Sequence, residues 1–290
     1  MEWFYGCHLS SNNIFDSINE VNKYQGNFIQ IFVSNPIGKP AKDALKKYKT
    51  IGPDIKKYCL NNLTKIVIHS PYTLNFAKEF NEDSYWIKNI LLDLRIAHEI
   101  GAIGCVIHVG KYLDLDINVA TQNMYNSLKY IISIIKKEKL NSILILETAA
   151  GQGTELFVTE DNTLDELANF YHRFTKDDKK YLKICVDTCH IFSAGFDISS
   201  KKKVRYFFIL FEKMIGLQYL ALIHFNDSKT EYNSHKDRHE KIGNGQIKTS
   251  GLIEFLKQAY KFKIPLILET HGDAYKKEIP WINKIIKKIK

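Results

Sequence analysis

Short apolar runs alternate with longer amphipathic stretches along the whole of this 290-residue chain, and that rhythm limits the fold more than any single residue does. The runs are WFYGCHL (3–9), FIQIFV (28–33), KIVIHS (65–70), GCVIHVG (104–110), SILILETA (142–149), LKICVDTCH (182–190), LALIHFND (220–227) and PLILETH (265–271). Most are continuous rather than alternating, as strands buried on both faces of a parallel sheet require. The stretches between them, for example 84–100, 118–139, 201–215 and 249–262, carry a helical period, and the chain closes on the basic helix IPWINKIIKKIK. Strand followed by helix, repeated, implies right-handed crossovers. Eight such units predict an α/β fold, a TIM (β/α)8 barrel forming a single domain over residues 1–290, with an open doubly wound sheet as the alternative.

Composition agrees with one packed core. Hydrophobic residues make up 45% of the chain and aromatic residues 12%, enough to fill a barrel and its helical coat, and the low Gly and Pro content argues against disorder. The formal net charge of +9 suits an anionic partner, because each phosphate neutralised by Lys or Arg releases counterions. A plain lysine bias accounts for it equally well, since only four residues are arginine: Arg95, Arg173, Arg205 and Arg238. Cys7, Cys59, Cys105, Cys185 and Cys189 are odd in number and form no CxxC pair, which suggests neither a disulfide framework nor a zinc finger. An intracellular, reducing compartment (cytoplasm or nucleus) is the expectation. The N-terminal MEWFYGCHLS lacks the pattern of a secretory signal, and no apolar stretch approaches a bilayer span, so no membrane partner is expected.

The chemistry lies where polar residues interrupt the apolar runs. The third to eighth strands each end in a residue able to bind a metal: His69, His108, Glu147, Asp187 with His190, His224, and Glu269. The loop after the seventh strand adds Asp237 and His239 in DRHE. In a barrel the C-terminal strand ends share one mouth, so these groups meet despite their distance in sequence. A single His at a strand end is more often hydrogen-bonded than ligating, and a lone Glu can be a cap or half of an ion pair. Nine such residues at one mouth do not fit that reading, because buried charges need partners. Metal ions supply them. Nitrogen and carboxylate donors suit Zn²⁺ or Mn²⁺, and nine ligands are about right for three ions sharing a bridging carboxylate.

Other signals are weaker. His98-Glu99 lacks the second His of HExxH, and His98, His172 and His235 read as surface or structural residues. Cys189 lies between Asp187 and His190, where strand alternation points it to the other face, so it is expected to stay unliganded. Gly243-Asn244-Gly245 reads as a turn rather than a phosphate cradle, and no P-loop or GxGxxG follows a strand.

At these residues the chain resembles the endonuclease IV family of apurinic/apyrimidinic endonucleases. The matching stretches are GCHLS (6–10), HSPYTLN (69–75), HVG (108–110), LETAAGQG (146–153), VDTCHIFSAGFD (186–197), HFNDSK (224–229), DRHEKIGNGQI (237–247) and LILET (266–270). The resemblance implies three Zn²⁺ ions per chain. One takes His69, His108 and Glu147; a second shares Glu147 and adds Asp187, His224 and Glu269; the third takes His190, Asp237 and His239. It implies a monomer that hydrolyses the phosphodiester 5′ to an abasic site in double-stranded DNA, leaving a 3′-hydroxyl and a 5′-deoxyribose phosphate. Glu147 and Glu269 are the catalytic carboxylates on this reading, Glu147 holding two ions together and Glu269 orienting or deprotonating the nucleophile. Tyr72 and Asn75 are expected to line the gap left by the missing base, with Lys39, Lys229 and Arg238 contacting phosphate. Members of the family usually carry an Arg-containing probe after the second strand; here the loop reads SNPIGKP (34–40), with Lys39 its only charge.

Two rival readings remain at this point. A metal-dependent sugar isomerase or epimerase would gather similar residues at its strand ends, usually for one or two ions, and the extra DRHE pair and basic surface distinguish the nuclease. A non-catalytic metal- or nucleic-acid-binding module has no reason to retain so much buried charge.

Overall fold

The computed structural model describes residues 3–9, 13–35, 43–270 and 272–289. Its centre is a closed barrel of parallel strands: Tyr5–His8 (β1), Phe28–Ile31 (β2), Lys65–His69 (β3), Gly104–His108 (β4), Ile143–Glu147 (β5), Leu182–Asp187 (β6), Leu220–His224 (β7) and, last in the chain, Leu266–Leu268 (β10). Between β7 and β10 a small antiparallel hairpin pairs Asp227–Ser228 (β8) with His239–Glu240 (β9). The barrel closes where β1 pairs with both β2 and β10. Helices coat it: Ile14–Lys23 (α1), Ala44–Asn61 (α2), Tyr85–Ile100 (α3), Ile117–Glu138 (α4), Asp165–His172 (α5), Thr188–Ser193 (α6), Lys201–Met214 (α7), Thr249–Phe262 (α8) and Tyr275–Lys287 (α9). The barrel expectation holds, and the doubly wound alternative fails on closure.

Two apolar layers result from strand alternation. Outward-facing residues pack against the helices, among them Cys7, Ile29, Ile66, Ile68, Leu144 and Leu146. Inward-facing residues fill the barrel with a separate cluster: Phe28, Val67, Val106, Ile145, Cys185, Leu222 and Ile267, all fully buried. This double coverage explains why the strands read as unbroken apolar runs.

The strands are shorter than those runs, and the sixth shows why. LKICVDTCH does not continue to His190; β6 stops at Asp187, whose side chain accepts from His190 N at 2.9 Å and caps α6. A carboxylate at an N-cap satisfies a helix's first free N–H groups, so the chain turns into helix there. The long segment after β7 is likewise not wholly irregular, since it carries the β8–β9 hairpin. All five cysteines are free thiols. Among the described residues no helix is long and apolar enough to cross a membrane.

Candidate metal centre

Two residues beyond each inward apolar residue, alternation returns a side chain to the inside of the barrel. That places Gln30 above Phe28, His69 above Val67, His108 above Val106, Glu147 above Ile145, Asp187 above Cys185, His224 above Leu222 and Glu269 above Ile267. The apolar layer thus carries a polar one at the C-terminal mouth. Registry sets His108 opposite Glu147 and Asp187 opposite His224, while the stagger of the barrel sets Gln30, His69 and Glu147 opposite Val67, Val106 and Cys185.

Glu147 is the hub. Its Oε2 lies 3.4 Å from His69 Nε2 and 3.2 Å from His108 Nε2, and its Oε1 lies 2.8 Å from His224 Nδ1 and 3.4 Å from His190 Nδ1. His224 Nδ1 is also 3.1 Å from Glu269 Oε2 and 3.9 Å from Asp187 Oδ2. Asp237 Oδ1 sits between His190 Nε2 at 3.2 Å and His239 Nε2 at 3.3 Å, and His239 Nε2 is 3.4 Å from Asp187 Oδ2. Ligand atoms gather within 4.8 Å in the sets His69–His108–Glu147, Glu147–Asp187–His224–Glu269 and Asp187–His190–His239. The first two share Glu147.

The donor chemistry fits metal ions. Several rings are fixed through their outer nitrogen, His69 Nδ1 to Ser70 O and His190 Nδ1 to Thr148 O, both at 2.8 Å. That leaves Nε2 facing inward, the arrangement of metal-bound imidazoles. The Nε2 atoms of His190 and His239 are buried and make no hydrogen bond, although Asp237 stands within ion-pair distance of both. Their separation is close enough but their direction is wrong for N–H···O, as expected of lone pairs converging on a shared cation. Electrostatics point the same way. Burial would raise the Glu147 carboxyl, but the imidazoles of His224 and His108 outweigh it and hold it well below the ordinary range. Burial lowers His224 and His190, yet neighbouring anionic groups drive both well above the usual imidazole value. The carboxylates thus demand positive charge, which divalent cations would supply in place of protons.

The thiols are not part of this set. Cys185 lies near Glu147 and His224, but burial pushes it up to about 12, and it belongs to the apolar layer beneath. Strand alternation would point Cys189 away from the mouth. It sits on α6 instead, where that argument does not apply, and its sulfur comes within 4.8 Å of Asp237 and His239 ligand atoms. Burial raises it to about 12 as well, so it remains a thiol.

All nine expected ligand residues therefore meet at the mouth, where seven of them, all but Asp187 and His224, line a cavity of about 820 Å³. Tyr72 stands on its rim, 54% exposed, with ring centroids 5.4 Å from His69 and 5.6 Å from His108. Lys229 and Arg238 are exposed along the same mouth, held together through Lys229 N and Arg238 O at 2.8 Å. Asn75 is engaged elsewhere: its Oδ1 accepts from Ala77 N and Lys111 N, and its Nδ2 donates to Lys111 O, clamping two mouth loops to each other. Lys39 lies outside the described residues. His98 accepts from Asn141 N at 3.0 Å and His172 donates to Met214 O at 2.6 Å, the structural roles expected of them. Gly243 and Gly245 form a turn whose N–H groups donate to the buried Asp227 carboxylate, so their amides are not offered to phosphate.

Sequence reasoning missed three residues. Asn226 joins two carboxylates, its Nδ2 reaching Asp187 Oδ2 at 2.6 Å and Glu269 Oε2 at 3.3 Å. Gln30 contacts Glu269, His224 and His8, and His8 lines the cavity. His8 ends β1, so its signal was available, whereas Gln30 stands one residue before the end of β2.

A barrel with a layer of His and carboxylate side chains at its mouth defines a class, and the comparisons name it: residues 18–285 match the family described as the xylose isomerase-like TIM barrel. A probable endonuclease 4 from Clostridium botulinum is 35% identical over 292 residues, covering 98% of this chain and 99% of that protein. A probable endonuclease 4 from Persephonella marina is 34% identical over 273 residues, covering 93% of this chain and 91% of that one. The chain belongs to the endonuclease 4 family, and so is an enzyme of nuclease type. Among solved structures, endonuclease IV from Thermus thermophilus superposes with a TM-score of 0.75 at 20% identity, covering 98% of this chain and 99% of that one. A D-tagatose 3-epimerase-like protein reaches 0.69 at 19% identity, with 98% and 100% covered, so likeness at this level speaks for the barrel alone.

Proposed function

We propose that this protein is a zinc-dependent DNA-repair endonuclease that hydrolyses the phosphodiester 5′ to abasic sites, leaving a 3′-hydroxyl and a 5′-deoxyribose phosphate. The observation that carries the reading is the polar layer extended by Asp237 and His239, because it offers enough nitrogen and carboxylate donors for three ions. His69, His108 and Glu147 would hold one ion, Glu147, Asp187, His224 and Glu269 a second, and His190, Asp237 and His239 a third. Bound Zn²⁺ lowers the pKa of water to about 7 and stabilises charge on the attacking and leaving oxygens of an in-line displacement.

The remaining steps fall to the chain's own groups. Burial would raise the Glu269 carboxyl, but the His224 imidazole outweighs it and holds it far below its ordinary value. It is therefore ionised, and its place at the mouth suits it to orient the attacking water through a hydrogen bond. Four carboxylates against three divalent ions leave a surplus of positive charge, the complement of a phosphodiester. Exposed Lys229 and Arg238 extend that positive field along the mouth for the flanking strand. Tyr72, exposed at the rim beside two ligand histidines, suits stacking in the gap of a missing base. A base-free nucleotide leaves the duplex at less cost than a paired one, so selectivity needs no base readout.

The test is single-turnover cleavage of matched abasic and intact duplexes, with the product ends mapped and metal measured in the same preparation. Cleavage 5′ to the abasic site by protein holding close to three zinc ions is expected. Epimerisation of a free ketose with no cleavage of abasic DNA would overturn the assignment.

A further inference from the structure

Gln30 is fully buried on β2, in a layer otherwise made of ligand-type side chains. Its carboxamide makes three contacts: Nε2 with Glu269 Oε1 at 2.6 Å, Nε2 with His8 Nδ1 at 3.1 Å, and Oε1 with His224 Nε2 at 2.9 Å. Exchanging the amide's oxygen and nitrogen would set a carbonyl oxygen 2.6 Å from a carboxylate oxygen, two acceptors with no proton between them. The orientation is therefore fixed by Glu269, and it decides where its neighbours carry their protons.

A carbonyl oxygen only accepts, so His224 must hold a proton on Nε2. Its Nδ1 then faces Glu147 Oε1 and Glu269 Oε2, at 2.8 and 3.1 Å, with the lone pair available to a cation. The amide's two hydrogens go to Glu269 Oε1 and His8 Nδ1. His8 Nδ1 is thus an acceptor, and its ring proton belongs on Nε2. That Nε2 is buried, has no hydrogen-bond partner, and lies on a residue lining the mouth cavity.

We propose that Gln30 is a positioning residue that sets both ring protons, turning His224 Nδ1 toward a metal ion and leaving His8 Nε2–H as a donor to an anionic oxygen of the substrate. The inference rests on reading the mouth as a metal centre acting on a phosphodiester. One carboxamide does the work of two separate partners, since outer-nitrogen hydrogen bonds fix the tautomer and direction of metal-binding imidazoles. It also ties Glu269 Oε1, leaving Oε2 as the oxygen of that carboxylate turned toward His224 Nδ1.

The experiment is long-range proton–nitrogen NMR of protein labelled at its histidine ring nitrogens, in the zinc-loaded state and after chelation. It is paired with zinc competition against a chromophoric chelator. Wild type is expected to show His8 and His224 protonated at Nε2. Gln30→Met should shift the His8 signals toward a tautomer mixture and weaken one zinc ion per chain by about 10- to 100-fold. Gln30→Glu keeps the acceptor for His224 but removes the donor to His8, so it should move the His8 signals and spare the His224 proton. A wild-type His8 protonated at Nδ1 overturns the inference even if neither variant folds. Wild type that binds no zinc overturns the metal reading instead, and the histidine signals of the two variants still report on Gln30 separately.

Discussion

Glu147 and Asp237 are both carboxylates among imidazoles, but their positions predict different losses. Glu147 belongs to two ligand sets and faces four histidines, whereas Asp237 faces only His190 and His239. Glu147→Gln should therefore release two ions and Asp237→Asn one. At free zinc a hundredfold above its dissociation constant, each site stabilises the folded state by about 2.7 kcal/mol. Three sites amount to about 8 kcal/mol, Asp237→Asn retains about 5, and Glu147→Gln about 3. At about 2 °C per kcal/mol for a chain of this size, zinc should raise the unfolding midpoint by roughly 16 °C in wild type, 11 °C in Asp237→Asn and 5 °C in Glu147→Gln. The assay is calorimetry in zinc-buffered and chelated solution, with zinc per chain counted by emission spectrometry. Using each variant's own chelated form as reference removes the cost of leaving histidines without their carboxylate. Equal losses in the two variants, or three ions retained by Glu147→Gln, would refute the shared role of Glu147.

Other expectations follow from single contacts. Glu269→Gln should lower single-turnover cleavage of abasic DNA by about 10²- to 10⁴-fold while binding, measured by fluorescence anisotropy, stays within a few-fold. Tyr72→Ala should cost at least about tenfold in cleavage, roughly 1.4 kcal/mol, with the intact duplex unaffected. Asp93 lies outside the metal layer, takes a hydrogen bond from Ser34 Oγ at 2.6 Å, and is raised by burial, against the pull of that hydroxyl, from 3.8 to about 7. The folded state thus binds its proton more tightly than the unfolded chain, so the contribution is complete below the unfolded value near 4 and is lost as pH rises through about 7. Urea unfolding of wild type should show that decline, on the order of 4 kcal/mol at most, and Asp93→Asn should lack it.

The barrel was legible because parallel strands buried on both sides leave unbroken apolar runs, and the runs at 65–70, 104–110, 142–149 and 220–227 contain β3, β4, β5 and β7. That the candidate ligand residues meet was legible because a charged side chain that ends such a run is buried at the barrel mouth, where it must find a counter-charge. Gln30 escaped for a reason of register. FIQIFV reads as apolar through Val33, so its Gln appears to interrupt a strand, whereas β2 ends at Ile31 and Gln30 already stands in the mouth layer. Only closure of the barrel, which pairs Gln30 with His8 on β1, reveals that position. The strand face expected for Cys189 does not exist, because the cap made by Asp187 replaces strand by helix within two residues.

Asp227 had no local signal at all, and it bears on what separates this mouth from others of the same shape. Any barrel of this topology can present strand-end side chains, since alternation delivers them to the mouth without further construction. Asp237 and His239 are not delivered that way; they come from the segment around the β8–β9 hairpin. Asp227 anchors that segment, its carboxylate accepting from Ser228 N at 2.8 Å, Gly243 N at 2.9 Å, Gly245 N at 3.0 Å and Ile247 N at 3.0 Å. Those four amides come from both sides of the hairpin, so one buried side chain sets where the loop leaves β7 and where it returns. Gly245 completes the fit, because a Cβ there would fall 2.3 Å from Ser228 O and 2.4 Å from Asp227 Oδ1. The strands alone bring together the two sets centred on Glu147. The third depends on a loop whose shape is held by a carboxylate outside the three sets, and on that loop the step from a generic barrel to the proposed three-ion nuclease rests.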